Sequence, residues 1–234
     1  MSILITENKQ IVDTETGELL NRFEHRRRNF VWFNYNINEL TDKGFNKADI
    51  FRIFYLATFI DYSNMLRCDN HKWTKDDIKK ELRLPDKTFY RFFNKLIQNE
   101  ILFENPNGNY RVNDKYFYKG NVRKGWSPRV YCDKLQQIYR NAKTADHTRL
   151  GYGFVIMSCV NLKYNIVCSN PLEFELDKIK PLGILNYKEI FSKLDELETK
   201  HISSKDFLNG QSIIKEYCDG FYIDPEVLLM GFDY

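Results

Sequence analysis

Lys87, Tyr90, Arg91, Asn94 and Lys95 recur at steps of three and four, and Phe89, Phe92, Phe93, Leu96 and Ile97 fill the positions between them. On a helix over 85–98 that spacing puts a basic and amide-bearing face on one side and an aromatic stripe on the other. Arg and Lys can hold a phosphate or the O6/N7 edge of guanine. Asn can address adenine, and a Tyr hydroxyl can bond a phosphate. A helix that performs such chemistry must be anchored by its inner face so that its outer face can enter a major groove.

No catalytic constellation competes with this reading. The four histidines, His25, His71, His147 and His201, are scattered, and no zinc-hydrolase, phosphate-loop, nucleophile-elbow or dinucleotide motif occurs. His147 beside Asp146 is read as an exposed or capping residue. Asp76 and Asp77 are read as helix N-terminal charge complementing the macrodipole, not as a metal dyad. The expectation is a non-enzyme with no cofactor and no metal.

The elements that would position this helix can be read in order. A first helix spans about 46–62, with Ile50, Ile53, Phe54, Ala57 and Ile60 on its stripe. Thr74-Lys75-Asp76-Asp77 is a capping box opening a second helix that carries Ile78, Leu82 and Leu84. Pro85 suits the first position of the third helix. A hairpin follows, residues 101–104 and 110–113 around the turn Asn105-Pro106-Asn107-Gly108-Asn109. Its tip would lie against a nucleic-acid backbone through Asn107, Asn109 and Arg111. Helix, tight turn, helix, hairpin is the winged helix-turn-helix order.

The unit is used twice. Residues 49–68 align without gaps on 149–168, pairing Ile50 with Leu150, Phe54 with Phe154, Ile60 with Val160 and Cys68 with Cys168. Residues 101–120 align on 212–231, so a helix-like block precedes a hairpin-like block both times. The copies differ in charge. From 62 to 124 there are 14 Lys/Arg against 8 Asp/Glu, whereas from 171 to 234 there are 7 against 13. A basic surface suits a polyanion and an acidic one does not, so the copies are expected to have different tasks. In the second, a helix over 187–194 and a reduced one over 203–208 stand beside Asp195, Glu196 and Glu198. Phe221, Tyr222, Val227 and Leu228 are expected in a core or in an interface, with a second copy or with another protein.

Two segments lie outside the repeat. Residues 9–20 suggest a short hairpin turning near Gly17, with Ile11-Val12 facing Leu19-Leu20. Arg26 to Arg28 follow, either as a phosphate-contacting arm or as a solvated junction before the aromatics Phe30, Trp32, Phe33 and Tyr35. Between the copies, seven Lys/Arg in 121–149 oppose Asp133 and Asp146. Val130, Leu135, Ile138 and Tyr139 suggest a helix over 128–142 that packs by an apolar stripe, with Arg123 and Lys124 near the nucleic acid.

Composition fits this organisation. Aromatics at 15%, 18 Phe and 15 Tyr among them, supply packed cores, and 11 Gly with 6 Pro argue against low complexity. No secretory segment and no apolar run of membrane-spanning length is present, so a soluble, cytoplasmic chain is expected. Five Cys without a C-x-x-C pair fit reduced thiols buried as small hydrophobes.

The stretch 85–104 is similar to the recognition-helix-to-wing segment of MarR-type regulators, where a Thr, a hydrophobe, a polar residue and an Arg occur in succession, here Thr88, Phe89, Tyr90 and Arg91. Thr88 thereby joins the candidate contact residues. Residues 108–120 with the upstream Asp-Thr-Glu-Thr-Gly-Glu-Leu resemble the RepL family of plasmid replication proteins and related phage regulators. Tyr110, Val112, Asn113, Lys119 and Gly120 match its pattern, and Asp114 replaces the usual Pro. The likeness covers roughly residues 10–125, and residues 140–231 resemble longer phage members described as MarR-like. It implies DNA binding in a mobile-element setting.

The whole reading is a mainly α protein with small β wings (α+β). Residues 1–40 form a hairpin and basic arm, 41–122 a DNA-reading winged helix, 123–145 a basic helical linker and 146–234 a degenerate winged helix for interaction. The expected function is sequence-specific binding of double-stranded DNA for transcriptional regulation. Replication initiation at an origin is the alternative, and a protein-interaction adaptor the third reading. A homodimer is the expected state, because paired half-sites double the contact surface. A host or phage protein partner through the second domain is left open.

Overall fold

The computed structural model describes residues 3–5, 11–13, 29–34, 37–120, 127–161, 167–168, 170, 172–173, 175, 178–180, 214–217, 220–223 and 227–229. It is a mixed α+β structure built from short helices and small antiparallel sheets. Strands β1 (Ile3–Ile5) and β2 (Ile11–Asp13) pair with Leu4 opposite Val12. Ile11 and Val12 lie opposite Ile5 and Leu4. The expected partners Leu19-Leu20 lie outside the described residues, together with Arg26–Arg28.

Strand β3 (Phe30–Phe33), helix α1 (Ile37–Asp42) and helix α2 (Lys47–Ala57) follow. Asn46 caps α2 by accepting the Asp49 amide at 2.9 Å. Every residue from Ala48 to Ala57 is buried, so α2 is the central post of the core, enclosed beyond the stripe of Ile50, Ile53, Phe54 and Ala57. It ends at Ala57, short of 62, because the chain turns there and then doubles back, with Ile60 bridged antiparallel to Leu66 across a turn at 61–65.

A two-residue hairpin, β4 (Arg67–Cys68) and β5 (His71–Lys72), leads to α3 (Lys75–Leu82) and α4 (Asp86–Gln98). The capping box forms as read: Asp77 accepts from the Thr74 amide and hydroxyl at 2.8 and 2.7 Å. These hydrogen bonds, with His71 as a further donor, hold the Asp77 carboxyl down at about 2. Thr74→Ala should cost about 1 kcal/mol in a denaturant titration at neutral pH. The Asp77 share is present above the ordinary carboxylate value and is lost as pH falls through about 2.

The hairpin β6 (Leu102–Glu104) and β7 (Tyr110–Val112) pairs with Phe103 opposite Arg111. Its far side is extended by the 60–66 segment, where Met65 bridges Arg111 and the Leu66 amide reaches the Tyr110 carbonyl at 2.9 Å. Gly108, at a φ of +73°, closes the turn.

Strand β8 (Phe117–Tyr118), β9 (Arg129–Tyr131), α5 (Cys132–Asn141), α6 (His147–Val155), β10 (Ile214–Tyr217), β11 (Gly220–Ile223) and β12 (Leu228–Leu229) complete the order. The expected helix over 128–142 begins only at Cys132, because 129–131 are drawn into a sheet. Its stripe of Leu135, Ile138 and Tyr139 is buried as read. The helix-like block aligned at 149–168 is α6 continued by a 3-10 turn at Ile156–Cys159. The second hairpin forms within the expected 212–224, and Val227 is buried. The helices expected over 187–194 and 203–208 lie outside the described residues.

The four-stranded sheet runs β12-β9-β3-β8 and ties Phe30–Phe33 through β9 to Leu228–Leu229. Residues assigned to an arm and a linker thus supply its two inner strands. Its centre is reciprocal: Val31 faces Val130, Phe30 faces Tyr131 and Trp32 faces Arg129. The Phe33 amide donates to the Pro128 carbonyl and the Cys132 amide to the Asn29 carbonyl, both at 2.9 Å. The two ends of this pair are related by one offset, 33 to 132 and 29 to 128.

The aligned helices α2 and α6 form the most extensive helix pair in the core. The equivalent rings of Phe54 and Phe154 meet at 4.6 Å. Similar turns follow each helix: Ile60 donates to Ala57 as Val160 does to Met157, whereas the return strand closes one residue later in the second, Cys168 donating to Cys159 where Arg67 donates to Phe59. Gly151 permits this contact, since a Cβ there would stand 2.0 Å from the Lys47 carbonyl oxygen.

The cysteines divide. Cys132 and Cys168 are buried, with thiols pushed up to about 12 and about 11 by desolvation, whereas Cys68 is exposed on β4, against the expectation of burial. No helix among the described residues is long and apolar enough to cross a membrane.

Candidate nucleic-acid interface

The inner face of α4 is fixed by Phe89, Phe92, Phe93 and Leu96, each 4% exposed or less. Phe93 meets the Tyr110 ring of β7 edge-on at 5.2 Å, which locks helix and hairpin together. At its start, α3 ends on Arg83 in the left-handed region, φ +50°, and Leu84 is buried. That sharp reversal lets α4 begin at Asp86 with Pro85 as the capping residue, one position earlier in role than expected.

The outer face is open. Lys87, Tyr90, Arg91 and Asn94 are exposed and Thr88 is half-buried. Tyr90 is bracketed by the ammonium groups of Lys75, at 4.9 Å, and Lys79, at 5.3 Å, from its ring. Lys79 also pairs with Asp86 at 3.1 Å. Lys75 and Lys79 belong to the same surface and escaped the sequence reading, although their spacing of four on a capped helix was the available signal.

Lys95 departs from the group. Its ammonium is turned back to Asp49, at 3.3 Å, and to the Gly44 carbonyl, so the charge is spent inside the fold. On the hairpin, Asn107 is exposed at the tip, Asn109 is half-buried, and Arg111 is exposed with its guanidinium 5.7 Å from the Phe103 ring. The structure thus brings Lys87, Tyr90, Arg91 and Asn94 onto one helix face and Asn107 with Arg111 onto the adjoining hairpin. Arg123 and Lys124 lie outside the described residues.

Behind α4 sits a buried polar network. Arg52, 4% exposed, donates from one guanidinium nitrogen to Asp49 at 3.1 Å and from Nε to His147 Nδ1 at 3.2 Å. The Arg52 guanidinium also lies 5.7 Å from the Phe92 ring of α4. His147 is 2% exposed, so its expected exposed or capping role is corrected: it is a core acceptor at the start of α6. Tyr139 stacks on Tyr55 at 3.6 Å and donates to the Leu82 carbonyl at 2.9 Å, so α5 braces the turn that aims α4. Arg140 adds an ion pair to Glu81 at 3.6 Å.

Burial, with Arg52 as a second cause, pushes the His147 imidazole down to about 4, so it is neutral at neutral pH. An unfolded chain takes up this proton near 6.5, before the folded one does. Stability is therefore full above that value and falls as pH drops toward 4, by about 3 kcal/mol. Urea unfolding at pH 7.5 and pH 4.5 checks this, and His147→Gln should flatten the difference.

No group of three or more His, Cys, Asp or Glu residues able to hold a metal occurs among the described residues. No family model, no curated protein and no solved structure matches the chain.

Proposed function

We propose that this protein binds double-stranded DNA sequence-specifically, inserting the outer face of α4 into a major groove and laying the β6–β7 hairpin along the backbone. The first half is read as a winged helix and the second as its diverged copy. One observation carries the proposal: Lys87, Tyr90, Arg91 and Asn94 are exposed on a helix whose opposite face is wholly buried. Such a helix presents phosphate-holding and base-reading groups without needing to reorganise on contact. Lys75 and Lys79 of α3 supply further positive charge at the groove edge.

The leading outcome is transcriptional regulation. Initiation of plasmid or phage replication is the second reading, favoured by the RepL-like positions Tyr110, Val112, Asn113, Lys119 and Gly120. Footprinting on DNA enriched from a random duplex pool tests the binding itself: a discrete protected site is expected. Uniform protection would remove the sequence specificity, and no protection at moderate salt would favour a protein-interaction adaptor. Complementation of a replicon that lacks its initiator separates the two outcomes.

A further inference from the structure

We propose, resting on the DNA-binding reading above, that the carboxy-terminal unit stands in place of a second subunit, so that one chain alone engages a single, non-palindromic duplex site.

Symmetric oligomers use an isologous interface, in which residue i of one copy meets j of the other and j meets i. Here that arrangement is internal. Val31 faces Val130, with Phe30 opposite Tyr131 and Trp32 opposite Arg129 on either side. The flanking backbone bonds, Phe33 to Pro128 and Cys132 to Asn29, repeat each other across that centre. Phe54 touches its own counterpart, Phe154, as residues on a two-fold axis do. Strands β8 and β12 occupy equivalent outer places, each a step of 111 from the other, 117 to 228 and 118 to 229. The surfaces with which two identical subunits would join are therefore already occupied within one chain.

Among the described residues little is left for another copy. The outer strands of the sheet, β8 and β12, are only two residues long and offer a poor template for edge-to-edge pairing. Among the described residues the exposed large hydrophobics are Tyr62, Tyr90, Ile97 and Leu172. Tyr90 and Ile97 lie on the outer face of α4 itself, and the others are single side chains, not a patch of interface size.

Nor are the two halves equivalent toward a polyanion. The first carries a balance of +6 over 62–124 and the second −6 over 171–234. A palindrome demands two equal readers, and the two parts of this chain carry opposite charge. The DNA partner that fits is an asymmetric site.

Sedimentation equilibrium of the full chain over a wide concentration range should give one mass, 28.1 kDa. Selection from random duplexes, followed by native mass spectrometry, should return a motif without inverted repeat, bound by one chain. A two-chain mass for the free protein, or an enriched inverted repeat holding two chains, overturns this inference while leaving the DNA reading intact. A monomer that enriches no duplex sinks the DNA reading on which it rests.

Discussion

Replacing Gly151 by Ala is expected to cost about 3–4 kcal/mol, near the upper end for an overpacked core site. The new methyl group would sit 2.0 Å from the Lys47 carbonyl oxygen and 2.4 Å from its carbon. Those atoms are backbone at the capped start of α2, so no side chain can swing aside. Either α6 slides away from α2, opening the Phe54–Phe154 contact, or the first turn of α2 breaks. Both outcomes loosen the junction of the two halves. A thermal scan should show the midpoint lowered by roughly 10 °C. Thr148→Ala, an exposed change in the same helix, should stay within about 0.5 kcal/mol of the parent. An unchanged midpoint for Gly151→Ala would mean that the helices do not approach this closely.

The double variant Arg91→Ala, Asn94→Ala should weaken binding to a selected duplex by about 2–5 kcal/mol, since each base-reading side chain contributes on the order of 1–3. Arg91 and Asn94 are exposed one turn apart on α4 and do not support the core, so the variant should unfold like the parent. Loss of affinity with unchanged stability therefore reports on recognition. Lys87→Ala provides the contrast. If it holds a phosphate, it weakens all sequences alike and lowers the salt dependence by about one ion. Should the double variant bind as the parent does, α4 is not the reading element.

Both variants exploit parts of the structure that sequence made visible to different degrees. The α4 pattern was legible because a run of Phe at helical spacing leaves one way to bury the helix. The capping box at Thr74 and the turn at Gly108 were legible for a similarly local reason, a side chain or a positive φ that only certain residues supply. The alignment of Phe54 with Phe154 is the signal from which a repeat is read. It did not reveal that the paired residues touch, because contact between copies is a tertiary fact.

The misplaced segments fail together. Phe30–Phe33 and Arg129–Tyr131 read as arm and linker because each is a short apolar run beside arginines, and their pairing spans a hundred residues. Arg129 looked like a surface cation, yet it is 4% exposed with its guanidinium over the rings of Phe30 and Trp32. His147 misled for the same reason. Its neighbour in sequence, Asp146, is not its partner; Arg52 from the other half is. Lys95 lay at a proper helical step for the outer face but was claimed by Asp49.

The central sheet also sets a timetable for synthesis. Strand β3 leaves the ribosome early, its neighbour β9 emerges about a hundred residues later, and β12 follows after about another hundred. Closing loops of that size precedes any reward from the pairing, which slows folding. The aromatic strand Phe30–Phe33 must wait, exposed, for its mates. Expression that outpaces this delay should accumulate aggregates, and slower translation or lower temperature should recover the native form.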